Sequence, residues 1–352
     1  MSRRTVAGLL ALGLLLVMGA AAWRTPVNYV TFRPGPTLNV LGKYGGKPIV
    51  TVTGHPTYAD QGGLRMVTVY PSAPNDNISL LNMLYGWIDP DIAVLPKDAV
   101  YHPHETDDSA QQESAVEMTS SQDNATAAAL GALGIGFKTE VTVTDVVKNG
   151  PSAGKLQKDD VLVDVDGTPV SDPTSLVGAI QSAKPGTTLR LGIRRDGAER
   201  SIAATTVADP QDETKSRIGV GIRQTYRFPF KVKVRLPDTI GGPSAGMMFA
   251  LAIYDVLTPG SLTGGKVIAG SGEIGPDGTV SAIGGIGQKL PAAQRDGARL
   301  FLVDADNCAE AVHSHYNPDK MRLVKVHTLA DAIKDVETWR DNPDAELPRC
   351  TS

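Results

Sequence analysis

The sequence predicts a multidomain α+β protein that begins with one apolar helix. Three observations support this fold class. The chain has 352 residues, which exceeds the usual size of a single domain. Val- and Thr-rich runs with period-two alternation predict strands, and Ala-rich runs between them are typical of helices. An uncharged apolar run stands near the start of the chain, so we expect a helix there.

The composition is that of an ordinary globular protein. Hydrophobic residues make up 41% of the chain and charged residues 20%, and the net charge of −4 gives no reason to expect a nucleic-acid partner. The 37 glycines favour many turns and close backbone approaches. Cys308 and Cys350 are the two cysteines. A disulfide between them and a pair of unpaired thiols both remain open.

Residues 1–25 are predicted to be a membrane anchor. The apolar run within them follows Arg3 and Arg4 and ends at Trp23, and it approaches the length of a membrane-spanning helix. Positive charge favours the cytoplasmic side, so we expect the rest of the chain at the outer face of a cell membrane. The small residues at 20–22 also fit a cleavage site, and a cleaved signal peptide is the alternative.

The next segment, residues 26–130, is predicted to be a β-rich region with helices near its end. The runs at 47–54 and 64–70 alternate as strands do, and the run at 78–88 has the spacing of a short amphipathic helix. A further helix is predicted at 112–132.

A polar stretch at 101–112 is predicted to be a surface loop. It contains His102, His104 and Glu105, whose side chains could in principle bind a metal ion. We expect a loop without a metal site there.

Residues 131–208 are predicted to form a small β-rich module, in which strand, turn, strand, helix and strand follow in quick order. This stretch resembles a PDZ domain of bacterial exported proteases. In that family, backbone N–H groups of one loop bind the C-terminal carboxylate of a peptide. The loop matches Leu133, Gly134, Ile135, Gly136 and Phe137. The resemblance implies that the module presents or selects protein or peptide substrates.

The motif GPSAG occurs twice, and only the second copy is predicted to be functional. Ser152 in the first copy lies in the turn that follows the first strand of the PDZ-like module, so we expect it to be structural. Ser244 in the second copy follows a Gly-Gly turn, and a helix is predicted from 243 to 257. Free N–H groups at a helix start stabilise an oxyanion, which suits a nucleophile. A structural N-cap serine is the alternative.

A serine nucleophile needs a base, and Lys289 is the best candidate. None of the six histidines lies in a recognisable triad motif, and no G-x-S-x-G motif occurs. Lys289 follows a glycine-rich turn at the start of a helix predicted over 287–296, among apolar residues that include Ile286 and Leu290. Burial and the positive end of the helix would both lower its pKa. A solvated surface lysine is the alternative.

Residues from about 230 to 340 resemble the proteolytic domain of Lon proteases, which use a Ser-Lys dyad. The serine motif of that family matches Pro243–Gly246, and its G-G-x-x-x-K motif ends at Lys289. The resemblance implies that Ser244 is the nucleophile and Lys289 the base. It also implies that Ser271 orients the lysine, where Lon has threonine.

We expect backbone N–H groups at the start of the helix, around Gly242 and Ser244, to hold the oxyanion. The chain departs from the family at Gly241, because Lon has an acidic residue three places before the nucleophile.

With the proteolytic domain expected at 209–345, the order of segments resembles the membrane-anchored PDZ–Lon proteases of the YlbL type. This implies an ATP-independent serine endopeptidase, and the resembling domains assemble into homo-oligomeric rings. A peptide-binding scaffold with an inactive Lon-like domain and an ATP-coupled protease are the alternatives. The stretch at 260–267 nearly fits a nucleotide-binding loop but ends in Val267, which has no hydroxyl for Mg²⁺. We therefore expect no nucleotide, metal or other cofactor.

Overall fold

The computed structural model of the chain describes residues 2–59, 61–103 and 105–351. It forms two compact units. The first, called here the split unit, consists of the residues up to Ile135 together with those from Phe230 onward. The second, called here the inserted unit, is Gly136–Pro229. The α+β fold class predicted from the sequence is confirmed.

Eight α-helices occur in the described residues. They are α1 (Arg3–Arg24), α2 (Leu80–Ile88), α3 (Asp107–Ala132), α4 (Pro173–Gln181), α5 (Gly246–Leu257), α6 (Ile286–Arg295), α7 (Cys308–Val312) and α8 (Leu329–Asp341).

The same part of the chain forms twenty strands, several of them only two residues long. They are β1 (Tyr29–Asn39), β2 (Lys43–Tyr44), β3 (Lys47–Pro48), β4 (Val50–Thr53), β5 (Gly63–Pro71), β6 (Ala93–Pro96), β7 (Lys138–Val146), β8 (Val161–Val165), β9 (Thr168–Pro169), β10 (Thr188–Arg195), β11 (Ala198–Thr205), β12 (Val207–Ala208), β13 (Ser216–Arg217), β14 (Val220–Arg227), β15 (Lys231–Val234), β16 (Val267–Ser271), β17 (Glu273–Ile274), β18 (Val280–Ser281), β19 (Leu300–Asp304) and β20 (Arg322–Val326).

The split unit is built on a six-stranded sheet with the order β20-β19-β16-β5-β1-β6. Strands β20, β19, β16 and β5 run parallel, and β1 and β6 extend the sheet in antiparallel fashion. Strand β5 therefore pairs with β16, about two hundred residues later in the chain. Residues 26–130 were expected to form a β-rich region of their own. Instead they supply three strands of this sheet, β1, β5 and β6, and residues after Phe230 supply the other three.

The central elements of the split unit are buried on all sides. Every residue of β19 is buried, as is typical of a parallel strand covered on both faces. Helix α5 is apolar nearly all round and almost wholly buried. Helix α6 contributes Ile286, Leu290 and Ala293 to a core that also contains Phe301. Core packing thus fixes α6, which carries Lys289, and α5, which begins two residues after Ser244.

The inserted unit has its own core and its own sheet, with the order β11-β10-β8-β7-β14. Strand β14 pairs along its length with β7 and forms one edge of this sheet. The compact unit includes β14 and ends at Pro229, whereas the domain boundary expected at 208/209 lies before β14. The difference arises because β14 pairs with a strand that lies some eighty residues earlier, and local patterns do not encode such a pairing.

Helix α1 is long and apolar enough to cross a membrane, and none of its residues is buried within the protein. At the other end of the chain, a disulfide joins Cys308 to Cys350, which decides the alternative left open by the sequence. Among the residues that the structure describes, no group of three or more His, Cys, Asp or Glu side chains could hold a metal ion. His104, one of the residues considered for such a site, lies outside the described residues.

Candidate active site

Ser244 lies in a tight turn immediately before α5. The helix begins at Gly246, and its N-cap is Ala245, so Pro243 is not the first helical residue as the sequence suggested. The turn closes through a hydrogen bond from the Gly246 N–H to the Pro243 carbonyl. Ser244 is therefore not the helix N-cap, and its half-buried side chain makes no hydrogen bond within the described part of the chain. The structural N-cap alternative does not apply.

Lys289 is the fourth residue of α6, and only 2% of it is exposed. Burial lowers the pKa of its ammonium group from 10.5 to about 7, although the nearby carboxylate of Glu310 acts in the opposite direction. The surface-lysine alternative is thus excluded. A lysine with such a pKa is partly neutral at physiological pH and can accept a proton.

Ser271 links the two predicted catalytic residues. Its Oγ accepts a hydrogen bond from Lys289 Nζ at 3.1 Å and donates one to the Ser244 carbonyl at 3.1 Å. The Ser244 carbonyl also accepts a bond from the Gly272 N–H at 3.0 Å. The serine-bearing turn is therefore fixed to the end of β16, beside the lysine. In the described residues, no hydrogen bond joins the side chains of Ser244 and Lys289 directly.

Helix α3 supports the serine-bearing turn from the other side. Ser121 Oγ donates to the Pro243 carbonyl at 3.0 Å, and the Ser114 carbonyl accepts a bond from the Gly242 N–H at 2.9 Å. A Cβ added at Gly241 would lie 2.2 Å from Ser114 Oγ, so the position where Lon has an acidic residue leaves no room for a side chain here. Ser114 and Ser121 are seven residues apart and thus share one face of the helix.

The backbone N–H groups of the turn differ in their availability. The Gly242 N–H donates to the Ser114 carbonyl, so it is not free to bind an oxyanion, contrary to the prediction from the sequence. Gly242 instead provides the positive φ of +82° that the turn requires. The N–H groups of Ser244 and Ala245 make no hydrogen bond to any residue that the structure describes. They lie at the start of α5, where the helix dipole favours negative charge.

Asn307 holds the chain in front of α6. Its side chain is buried, accepts a bond from the Ile283 N–H at 2.8 Å and donates one to the Ile283 carbonyl at 2.9 Å. From there the chain enters the helix through Gly285, whose φ is +70°. Sequence reasoning missed Asn307, Ser114 and Ser121, because no local motif marks a residue that supports a site from elsewhere in the chain.

Ser152 in the first GPSAG is fully buried and has a structural partner. Its Oγ donates a hydrogen bond to the Ile218 carbonyl at 2.7 Å. The residue lies in a turn between β7 and β8, as the sequence suggested. A buried hydroxyl bonded to a backbone carbonyl has no access to substrate.

The segment expected to bind a peptide carboxylate, 133–137, is largely a helix C-cap. Gly134, with φ of +67°, and Ile135 donate to the carbonyls of Gly131 and Leu130, which is the pattern of a Schellman motif. The Leu133 N–H bonds to Ala129. Three of the five predicted donors therefore satisfy the end of α3 and are not available to a ligand. Within the inserted unit, Phe137 packs edge-on against Tyr226 and Phe228.

A different feature of the inserted unit has the shape of a peptide groove. A cavity of about 450 Å³ lies between α4 and the beginning of β14. Val177 and Ile180 of α4 line one side, and the glycine-rich stretch 218–222 lines the other. That stretch, Ile-Gly-Val-Gly-Ile, resembles 133–137 in its letters, and it leads directly into an edge strand. An edge strand beside an apolar helix face can accept an added peptide strand.

Lys266, in the stretch that resembles a nucleotide-binding loop, has a structural role. Its ammonium group donates to the Arg340 carbonyl at 2.8 Å and to the Trp339 carbonyl at 3.3 Å, and it lies over the Trp339 ring. It thus binds the last turn of α8, where cations are favoured.

Two segments of the chain match known protein families. Residues 116–206 match the family described as PDZ domain, and residues 215–337 match the Lon protease (S16) C-terminal proteolytic domain. The chain therefore contains a PDZ domain and a Lon-type proteolytic domain, as the resemblances implied.

Several curated proteins similar to this chain are named Lon protease. That of Azospirillum brasilense is 31% identical over 155 residues, which cover 41% of this chain and 19% of that protein. That of Xanthomonas oryzae pv. oryzae is 40% identical over 112 residues, which cover 31% of this chain and 12% of that protein. The alignments thus span about a fifth or less of these relatives.

One solved structure similar to the chain is the PDZ domain of the SdrC-like protein from Listeria monocytogenes. It is 22% identical, with a TM-score of 0.22, and covers 23% of this chain and 85% of that one.

Proposed function

We propose that the chain is an ATP-independent serine endopeptidase in which Ser244 is the nucleophile and Lys289 the general base. The observation that carries this proposal is the buried Lys289, whose pKa of about 7 and hydrogen bond to Ser271 set a proton acceptor next to the serine-bearing turn. The matches to Lon proteolytic domains support the same assignment.

In the acylation step, neutral Lys289 takes the proton from Ser244 Oγ as that oxygen attacks the carbonyl carbon of the scissile peptide bond. The N–H groups of Ser244 and Ala245 are free to hold the resulting oxyanion. The lysine ammonium then donates its proton to the departing amine. A water molecule, deprotonated by the same lysine, hydrolyses the acyl-enzyme and restores the serine.

Ser271 orients the base in this scheme. It accepts one hydrogen bond from Lys289 Nζ and donates its own proton to the Ser244 carbonyl. Its hydroxyl is thereby committed, so the free electron pair of the neutral amine can point towards the serine hydroxyl. Ser114 and Ser121 act less directly, because they fix the backbone of the turn that carries the nucleophile.

The test is hydrolysis of a fluorogenic peptide and of an unfolded protein by the full chain without nucleotide. Ser244→Ala should abolish both activities. Ser152→Ala is the matched control, because it removes the serine of the twin motif, and it should retain hydrolysis of the small peptide. Activity that survives in Ser244→Ala, or that requires ATP, would contradict the proposal.

We also propose that the groove between α4 and β14 recruits the C-terminal tails of protein substrates. An extended tail would add to the free edge of β14 and place apolar side chains against Val177 and Ile180.

Val177→Arg should block the groove, weaken peptide binding measured by fluorescence anisotropy, and leave cleavage of short peptides unchanged. Ala198→Arg, exposed on β11 at the opposite edge of the same sheet, is the matched control. If both variants bind the peptide equally well, the groove does not recruit substrate tails.

Helix α1 is proposed to anchor the chain in the cell membrane, with the inserted unit and the rest of the split unit on the outer side. Its length and apolar character support a span, and Arg3 and Arg4 favour a cytoplasmic N-terminus. The full chain should remain in the membrane fraction after a carbonate wash, and a protease added outside intact cells should digest both units. Release by carbonate would contradict the anchor.

A further inference from the structure

Helix α2 displays an apolar surface that is largely exposed in the described part of the chain, although Tyr29 packs edge-on against the Trp87 ring. Most of its nine residues are large, apolar and exposed, and Ile88 is 82% exposed. The surface consists of Leu81, Leu84, Tyr85, Trp87 and Ile88. Helix α2 contains no charged residue. Single exposed apolar residues are ordinary on a protein surface, but a contiguous group of this kind marks an interaction site.

The opposite face of α2 is firmly packed, so the apolar surface has a fixed orientation. Met83 and Gly86 are its buried residues. A Cβ added at Gly86 would lie only 2.7 Å from Val94 Cγ2, which shows how closely the helix approaches β6. Ser79 caps the helix by accepting a hydrogen bond from the Asn82 N–H. The exposed side chains are therefore presented by a well-formed helix rather than by a loose segment.

The start of α2 is joined to the end of α1. The Leu80 N–H donates to the Thr25 carbonyl at 2.9 Å, and the Val27 N–H donates to the Ile78 carbonyl at 2.8 Å. Thr25 is the C-cap of α1. The apolar surface of α2 thus begins where the proposed membrane span ends.

We infer that α2 lies in the membrane–water interface and inserts its apolar surface among the lipid headgroups and upper acyl chains. The inference rests on the proposed anchor, because α1 brings α2 to the level of the bilayer surface. Nine residues are too few to cross a bilayer but suffice to lie along it. Tyr and Trp are the aromatic residues enriched at this depth. Helix α2 itself contains no charged residue, which lowers the desolvation cost of insertion, and the Asp89 carboxylate at its end accepts a hydrogen bond from the Tyr85 hydroxyl.

The consequence is a defined orientation of the split unit. Two adjacent attachments, the span α1 and the surface helix α2, would restrict tilting of the sheet that carries the candidate active site. Strand β6 pairs with β1 at the edge of that sheet and also packs against α2. Attachment of α2 to the membrane would therefore hold the edge of the sheet in place.

The test is quenching of tryptophan fluorescence by brominated phosphatidylcholine in vesicles that contain the full chain. Trp23→Phe retains Trp87 and the buried Trp339, and the double variant Trp23→Phe/Trp87→Phe retains Trp339 alone. The difference between the two variants reports on Trp87. Lipids brominated near the headgroup end of the acyl chain should remove about half or more of the Trp87 signal, and lipids brominated near the chain terminus should remove less.

Adding Ile88→Glu to the Trp23→Phe background should reduce this quenching several-fold, because it places a charge within the inserted surface. Val116→Glu, which adds the same charge at an exposed valine of α3, should leave it unchanged. The Trp87→Phe variant reports on Trp23 in α1 and thus tests the anchor separately.

If Trp23 is quenched and Trp87 is not, α1 spans the membrane but the inference about α2 is overturned, and a second copy or a protein partner must cover the surface. If neither is quenched, both the anchor and the inference fail. Quenching of Trp87 without Trp23 would support surface binding and overturn the anchor alone.

Discussion

Replacing Lys289 with Met should abolish peptidase activity and stabilise the protein at the same time. Methionine fills the same buried space without an amine that can be charged. Because the folded-state pKa of Lys289 is about 7 whereas the unfolded value is 10.5, the unfolded chain binds more protons between these values. The native stability of the wild type therefore rises with pH across this window, and the cost of the buried amine is largest below pH 7.

The size of the effect follows from the shift. At about 1.4 kcal/mol per pKa unit, the buried amine destabilises the wild type by about 5 kcal/mol near pH 6 and by about 2 kcal/mol near pH 9. The variant also loses the hydrogen bond from Lys289 to Ser271, worth about 1 kcal/mol at either pH. The advantage of Lys289→Met should thus be about 3 kcal/mol larger at the lower pH.

Calorimetric unfolding of the full chain in one detergent, at both pH values, measures this difference. In a unit of this size each kcal/mol shifts Tm by about 2–4 °C, so the gain in Tm should be several degrees larger near pH 6 than near pH 9. Leu290→Met, an apolar exchange at the next and equally buried residue, controls for repacking of α6. A pH-independent difference between wild type and Lys289→Met would refute the lowered pKa.

Three further outcomes are expected for purified variants. Ser271→Ala should lower kcat by about 10- to 100-fold through loss of the orienting bond, whereas Ser271→Thr should retain most activity, as measured by peptide hydrolysis. Lys289→Arg should be inactive in the same assay, because guanidinium does not give up its proton in this range; substantial activity would exclude lysine as the base. Gly241→Ala should destabilise the protein by about 1–3 kcal/mol and reduce activity, because its Cβ meets Ser114, and Ser114→Gly should restore part of both. No gain from the second change would mean that this contact is not the cause.

The burial of Lys289 and the turn at Ser244 were predictable because their determinants are local. Lys289 follows a Gly-Gly turn and has apolar neighbours, and this pattern predicts a buried lysine at the start of a helix. The structure has that arrangement. The turn around Ser244 is also local, although the helix begins two residues after the serine rather than before it. The local sequence could not indicate that α3 supports the turn around Ser244, because α3 lies more than a hundred residues earlier in the chain.

The organisation into two units depended on pairings between distant strands, which no local pattern encodes. Strand β5 completes a sheet with β16, and β14 completes one with β7. The peptide site was predicted at 133–137, where three of the five N–H groups satisfy the end of α3, and the stretch 218–222 has similar letters. Their context separates them, because the first follows a long Ala-rich helix and so has the signature of a helix C-cap, whereas the second leads into a strand.

The nucleophile and its base can be identified together by labelling the full chain with a serine-reactive fluorophosphonate and locating the modified residue by mass spectrometry. We expect one adduct on Ser244, formed at a rate that rises with pH with a midpoint near the Lys289 pKa of about 7. The rate should fall at least a hundredfold in Lys289→Ala. An adduct on another serine, or labelling of Ser244 at an unchanged rate in Lys289→Ala, would contradict the dyad.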